Sequence, residues 1–210
     1  MLGSILGKLG RQPGSPVISA DDDDQQAVSV HHLKGMELAA QGMHAKALGE
    51  FRKAIAAKWD FFDAHHELGR THLTLGEFDK AIKALRTALR VCPDHVDAHN
   101  DLGTAYDSAG NSVEAIKIFM QALRIKPDAI DVRNNLANAY FNIGSYAEAM
   151  KAYNQVLERQ ANDATAHYGL ALVQIDLKNK ESALMEHQHL MENGHVELAD
   201  RVLAEIEAQF

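Results

Sequence analysis

The chain has 210 residues, of which 46% are hydrophobic and 24% charged, with a single cysteine and a formal net charge of −8. That balance supports a continuous apolar core and excludes a wholly disordered chain, a collagen-like chain and a disulfide-stapled miniprotein. The excess of carboxylates repels a phosphate backbone, so no nucleic acid partner is expected. Cys92 stands alone, which excludes an intrachain disulfide and a cysteine zinc site and suggests a small buried side chain in a reducing, cytoplasmic setting. No apolar run approaches the ~18 residues of a membrane span.

At the N-terminus, Leu2–Leu6 is broken by Lys8 and several glycines before it reaches the ~7–15 apolar residues of a secretory signal. Residues 1–27 are expected to form a flexible tail, with Pro13 and Pro16 bracketing a linker and Asp21–Asp24 forming a solvated acidic run. Within it Leu2, Ile5, Leu6 and Leu9 fall at i, i+3, i+4 and i+7 beside Lys8 and Arg11. Such a short amphipathic segment leaves three readings open: disorder, contact with a membrane surface, or docking on a protein partner or on the chain's own acidic groove.

From residue 28 onward the chain repeats with a period of 34. Gly35, Gly69 and Gly103 stand at that spacing, continued by Ala137 and Ala171. Three further series run in register: Ala47, Ala81, Ala115, Ala149 and Ala183; Gly42, Gly76, Gly110 and Gly144; and Asp60, Asp94, Asp128 and Asn162. Inside one period, Leu68, Gly69, His72 and Leu75 share one helix face, and after Gly76 a second helical face runs through Phe78, Ala81, Ile82, Leu85, Ala88 and Leu89. The glycine between them suits the left-handed turn that stops a helix, Pro93 and Pro127 stop the second helix, and the following Asp or Asn is expected to cap the next first helix. Five helical hairpins are predicted at 28–61, 62–95, 96–129, 130–163 and 164–197. Leu198, Val202, Leu203, Ile206 and Phe210 then extend a helical spacing, so residues 196–210 read as a capping helix.

Leu102, Gly103, Tyr106, Gly110, Ala115, Phe119, Ala122 and Pro127 together resemble the signature of the tetratricopeptide repeats. The second unit matches through Leu68, Gly69, Gly76, Ala81, Leu85, Ala88 and Pro93, and the fourth through Leu136, Ala137, Tyr140, Gly144, Ala149 and Tyr153. The resemblance implies an all-α, right-handed α-solenoid of five such helix-turn-helix repeats plus the C-terminal capping helix. The end units depart from the pattern: Lys34 replaces Leu and Trp59 replaces Pro in the first, while Lys178, His187 and His195 replace the turn glycine, a large apolar residue and Pro in the fifth.

Catalytic and cofactor signals are absent from the sequence. Gly3, Gly7 and Gly10 fit no nucleotide-binding spacing, and His66-Glu67 is followed by Arg70 where a zinc-protease box needs a second histidine. His31, His65, His99 and His167 recur at one position of the period. With a second helix expected between successive first helices, these imidazoles are read as packing groups too far apart to share an ion, and no metal is expected.

What the resemblance implies instead is a non-enzymatic protein-interaction scaffold or adaptor with a groove lined by the first helices. Carried over position by position, its contact residues are Asp63, His66, Glu67, Arg70 and Thr74 in the second unit, and Asp97, Asn100, Asp101, Thr104, Asp107 and Ser108 in the third. The fourth contributes Asp131, Asn134, Asn135, Asn138, Phe141 and Asn142, and Tyr168 begins the fifth unit's share. Amides donate and accept at once, so the Asn cluster can satisfy the backbone of an extended peptide, and the acidic surroundings favour a neutral or basic segment. The fifth positions, His32, His66, Asn100, Asn134 and Tyr168, lack the basic residues of the subtype that clamps a C-terminal carboxylate. The alternative function is self-association into a homo-oligomeric organiser through the degraded end units, with or without a membrane surface held by the tail.

Overall fold

The computed structural model describes residues 20–210, with side chains from residue 25 onward, so the amphipathic segment at 2–11 lies outside the described residues. Eleven α-helices and no strand occur among the described residues. Four hairpins are α1 (Ala20–Ala40) with α2 (His44–Ala57), α3 (Phe62–Thr74) with α4 (Phe78–Val91), α5 (Val96–Ser108) with α6 (Ser112–Ile125), and α7 (Ile130–Asn142) with α8 (Tyr146–Leu157). A fifth pairs α9 (Ala164–Asp176) with α10 (Lys180–Glu192), and α11 (Val196–Gln209) closes the stack. α1 starts at Ala20, ahead of the repeat frame at 28, because neither Gly nor Pro interrupts the chain between Ala20 and Lys34.

Each hairpin turns on a residue in the left-handed region. Gly42, Gly76, Gly110 and Gly144 take φ values of 69° to 79°, and Lys178 takes 59° at the same point of the fifth unit. A lysine there carries a steric penalty of about 1–2 kcal/mol that the glycines avoid, a cost tolerated in the least regular hairpin. The expected caps are displaced by one residue. Asp60, Asp94, Asp128 and Asn162 precede the cap, which falls at Phe61, His95, Ala129 and Asp163. Only His95 and Asp163 supply a side-chain acceptor among these four, to the Ala98 and Ala166 amides.

The two helices of a hairpin nest where one of them carries only a glycine or an alanine. A β-carbon at Gly69 would sit 2.5 Å from Leu85 Cγ, and one at Gly103 would collide with the buried Phe119 ring. Between hairpins the spacing is uneven. Successive first helices (α1, α3, α5, α7, α9) touch one another directly, whereas successive second helices do not among the described residues. A stack whose members approach more closely on one side curves toward that side, so the first helices line the concave face. The apolar interior is accordingly strung out rather than central: one cluster centres on Leu85, Leu102, Phe119 and Leu136, a second on Tyr153, Val156 and Leu170, and a third joins Ala171, Ile175 and Leu190 to Val202 and Ile206 of α11. Cys92 ends α4 half-buried rather than in the core.

Two glycines in equivalent secondary structure separate packing from propensity. Gly49 in α2 has open space at its β-carbon position, so Gly49→Ala should stabilise the chain by about 0.5–1 kcal/mol in urea unfolding. Gly103→Ala gains the same propensity but must displace Phe119, and should destabilise it by about 1–2 kcal/mol net.

Candidate functional site

The concave face is built by α3, α5, α7 and α9, and its polar side chains are tied across repeats. His66 Nε2–H donates to Asp101 Oδ2 at 2.8 Å, Asn135 Nδ2 donates to Asn100 Oδ1 at 2.9 Å, and Asn142 Nδ2 donates to Asp107 Oδ2 at 3.0 Å. Each pair is 35 residues apart, one full repeat plus one, so they form rungs between neighbouring first helices. The direct approach of these helices overturns the expectation that a second helix would stand between them.

The rungs consume only part of each amide. Asn100 keeps its NH2 group and Asn135 keeps its carbonyl oxygen, so both retain capacity toward a visiting backbone. Thr104 turns back to the Asn100 carbonyl at 2.9 Å, and Ser112 Oγ holds Asp107 Oδ1 at 2.5 Å. Asp97 and Asp131 are exposed in the first turns of α5 and α7, where a carboxylate complements the helix dipole. Arg70 pairs with Glu67 at 2.9 Å and reaches toward Asp101 at 3.8 Å. With Met36, His44 and Thr74 these three line a cavity of about 460 Å³ at the α1 end of the groove.

Two of the expected contact residues are diverted. Asn134 is buried, 5% exposed, and its Nδ2 donates to Asp163 Oδ1 at 3.1 Å, the same oxygen that caps α9 through the Ala166 amide at 2.8 Å. It is a joint between the fourth and fifth hairpins and presents nothing to the groove, because its position on α7 faces the next hairpin. Tyr168 lies half-buried against α11, its ring 4.8 Å from the Arg201 guanidinium, so the capping helix takes up that face.

Asn138 is held differently. Tyr153 of α8 is 1% exposed, and its hydroxyl donates to Asn138 Oδ1 at 2.5 Å. Burial pushes the Tyr153 hydroxyl up from its ordinary range, which keeps it a donor. The ring passes so close to Gly169 of α9 that no β-carbon could stand there. With its oxygen fixed from behind, Asn138 is left with its NH2 group to offer. The sequence carried one signal of this positioning role: the first three units place Phe51, Leu85 and Phe119 at the Tyr153 position, and a ring with a polar tip in a core needs a partner. Phe141, beside it, packs 5.9 Å from Tyr146.

The recurring histidines serve the hairpins. His65 Nε2–H donates to Trp59 O at 2.8 Å and His99 Nδ1–H to His95 O at 3.1 Å. In the two end units the same position reaches the partner helix: His31 to Glu50 Oε2 and His167 to Glu186 Oε2, both at 2.7 Å, while His167 Nε2 also holds Ala161 O at 2.9 Å. No cluster of three or more His, Cys, Asp or Glu suited to a metal ion occurs among the described residues.

Two tetratricopeptide-repeat family models match residues 66–130 and 108–173, together just over half of the chain. The chain belongs to the tetratricopeptide-repeat family, whose solenoids work as protein-interaction modules. Among solved structures it is similar to YrrB, described as a tetratricopeptide-repeat protein with an unusual peptide-binding site, at 18% identity and TM-score 0.69 over 88% of this chain and 100% of that one. It is also similar to residues 41-end of MamA from Desulfovibrio magneticus RS-1, at 14% identity and TM-score 0.74 over 79% and 94% of the two chains. Pseudomonas aeruginosa PilF matches at 19% identity and TM-score 0.70 over 82% and 78%. These likenesses establish the fold. No curated protein matches the sequence. No described helix is long and apolar enough to cross a membrane.

The clasp on Glu50 has a pH signature. Hydrogen bonds from Lys53 and His31 hold its carboxyl well below the ordinary value of 4.5, at about 2. Between those values the unfolded chain takes up a proton that the folded chain refuses. This contribution is therefore complete above about pH 4.5 and lost as pH falls toward 2. Glu50→Gln should lower thermal stability at neutral pH and flatten the acid limb of a melting-temperature profile relative to the unmodified chain.

Proposed function

We propose that this protein is an adaptor that holds an extended segment of a protein partner along the α3–α5–α7–α9 face. Asn100, Asn135 and Asn138 meet the segment's backbone. The observation that carries the reading is the fixation of these amides before any partner arrives: the 2.9 Å rung between Asn100 and Asn135 and the 2.5 Å bond from Tyr153 to Asn138 restrict their rotamers. Ordering such side chains costs about 0.5–1.5 kcal/mol each when it must happen on binding, so a prepared row favours affinity. Asp63, Asp97 and Asp131 along the same face support a neutral or basic segment over an acidic one. A cytoplasmic setting with a reduced Cys92 is consistent with this role.

The test is calorimetric, with a partner segment captured by the chain and then synthesised. Asn135→Ala combined with Asn138→Ala should weaken binding about tenfold, at roughly 1.4 kcal/mol for the pair, while leaving the helical signal intact. Unchanged affinity would refute the reading. Asn134→Ala is the contrasting variant, since it should cost stability through the α7–α9 joint and leave the groove's amides in place.

A second reading, end-to-end self-association, draws on apolar side chains left in water at both ends. Val30 and Leu33 on α1 are 53% and 64% exposed, and Met185 on α10 is 58% exposed. Light scattering over a concentration series should show a mass that stays at the monomer if the adaptor reading alone holds.

A further inference from the structure

Trp59 is the chain's only tryptophan, it stands where the repeat pattern has proline, and it is 75% exposed. Nothing in the turn between α2 and α3 requires it. Lys58 already leaves the helix in an extended conformation, and the turn is pinned by its backbone, through the His65 bond to Trp59 O. The ring instead borders a recess of about 650 Å³ between the C-terminal ends of α2 and α4, lined by the apolar Ile55 and Val91.

One wall of that recess is cationic. Arg90 lines it, and Lys83 and Arg86 continue along the same exposed stripe of α4 at i, i+3 and i+7. None of the three is ion-paired with a carboxylate among the described residues. Arg90 donates only to Thr87 Oγ1, and Arg86 lies 5.5 Å from the Tyr106 ring. Like charges at these spacings destabilise a helix by a few tenths of a kcal/mol per pair. An isolated stripe of three such charges in a chain of net charge −8 therefore marks a place where anionic charge from outside is favoured. Asp60 is the one carboxylate in the lining.

We infer that this recess is a second docking site, on the outer layer of second helices, for an acidic segment of a protein partner. The segment would insert one large apolar side chain against Trp59 and lay its carboxylates along Lys83, Arg86 and Arg90. A recess with one aromatic wall accommodates a single side chain. A bilayer surface would need apolar groups that protrude together. The site stands independently of the amide face, since α4 supplies none of the concave residues.

Because Trp59 is the sole tryptophan, its fluorescence reports occupancy in the full-length chain without labelling. The probe is the peptide acetyl-Glu-Glu-Leu-Phe-Glu-Glu-amide, with the same peptide carrying lysines for glutamates as control and phosphatidylglycerol vesicles as a third arm. The acidic peptide should shift the emission to shorter wavelength with saturation and lose its effect at high salt, and the basic peptide should not. Lys83→Glu with Arg86→Glu and Arg90→Glu, all on the exposed face, should weaken the response about tenfold or more while circular dichroism stays unchanged. Calorimetry on Trp59→Ala should show the same loss by a readout that does not need the indole. The inference is overturned by absence of a shift, by an equal shift with the basic peptide or with the charge-reversed variant, or by a response to the vesicles alone.

Discussion

In the first three hairpins the two helices can cross closely because Gly35, Gly69 and Gly103 present no side chain where Phe51, Leu85 and Phe119 arrive, and Ala137 and Ala171 keep that position small in the last two. That one contact sets the depth of nesting within each pair, and the depth sets how the apolar faces of neighbouring pairs meet. A hairpin of this size cannot bury its apolar face alone, so the nested pair becomes stable only when the next one covers it. The three apolar clusters strung along the stack follow from this arrangement, as does the need for α11, which seals the last hairpin with Val202 and Ile206.

The same packing brings successive first helices within side-chain reach, and the polar chemistry follows. Rungs from His66 to Asp101, Asn135 to Asn100 and Asn142 to Asp107 satisfy part of each group and leave the remainder directed to solvent. A face prepared in this way exchanges side-chain entropy at folding for less ordering when a partner binds. The fourth hairpin departs from the pattern in a related manner. Tyr153 there crosses toward Gly169 of the next hairpin, with its hydroxyl on Asn138, so a core residue acts on the groove.

The end hairpins are each closed by a polar clasp between their two helices. The residue facing the recurring histidine is Glu50 in the first unit and Glu186 in the last, whereas the inner units have Ala84, Ile118 and Ala152 at that point. An inner hairpin is covered on both sides and gains from apolar contact. In the end hairpins the carboxylate is held by hydrogen bonds, Glu50 by His31 and Lys53 and Glu186 by His167, so the charge is not stranded. Lys178 in the left-handed turn belongs to the same relaxation of the pattern.

Much of the architecture was legible in the linear chain, because glycine, alanine and alternating helical faces act locally and recur every 34 residues. The turn glycines and the capping helix rest on such short-range constraints, whereas α1 begins at Ala20, ahead of the repeat frame. The groove was legible only as a set of positions on one helix face. Whether a given side chain on that face meets solvent, a neighbouring rung or the next hairpin depends on contacts 15 to 35 residues away. That is why Asn134 and Asn138, four residues apart and chemically identical, part ways: the first is taken up by Asp163 at a joint, the second is held open by Tyr153. Trp59 shows the same division, since its substitution for proline is visible in the sequence but its place beside an apolar recess and three cations arises only when the first two hairpins stack through α3. Local stereochemistry determined the repeat; the distance between neighbouring helices decided which polar groups remain available to a partner.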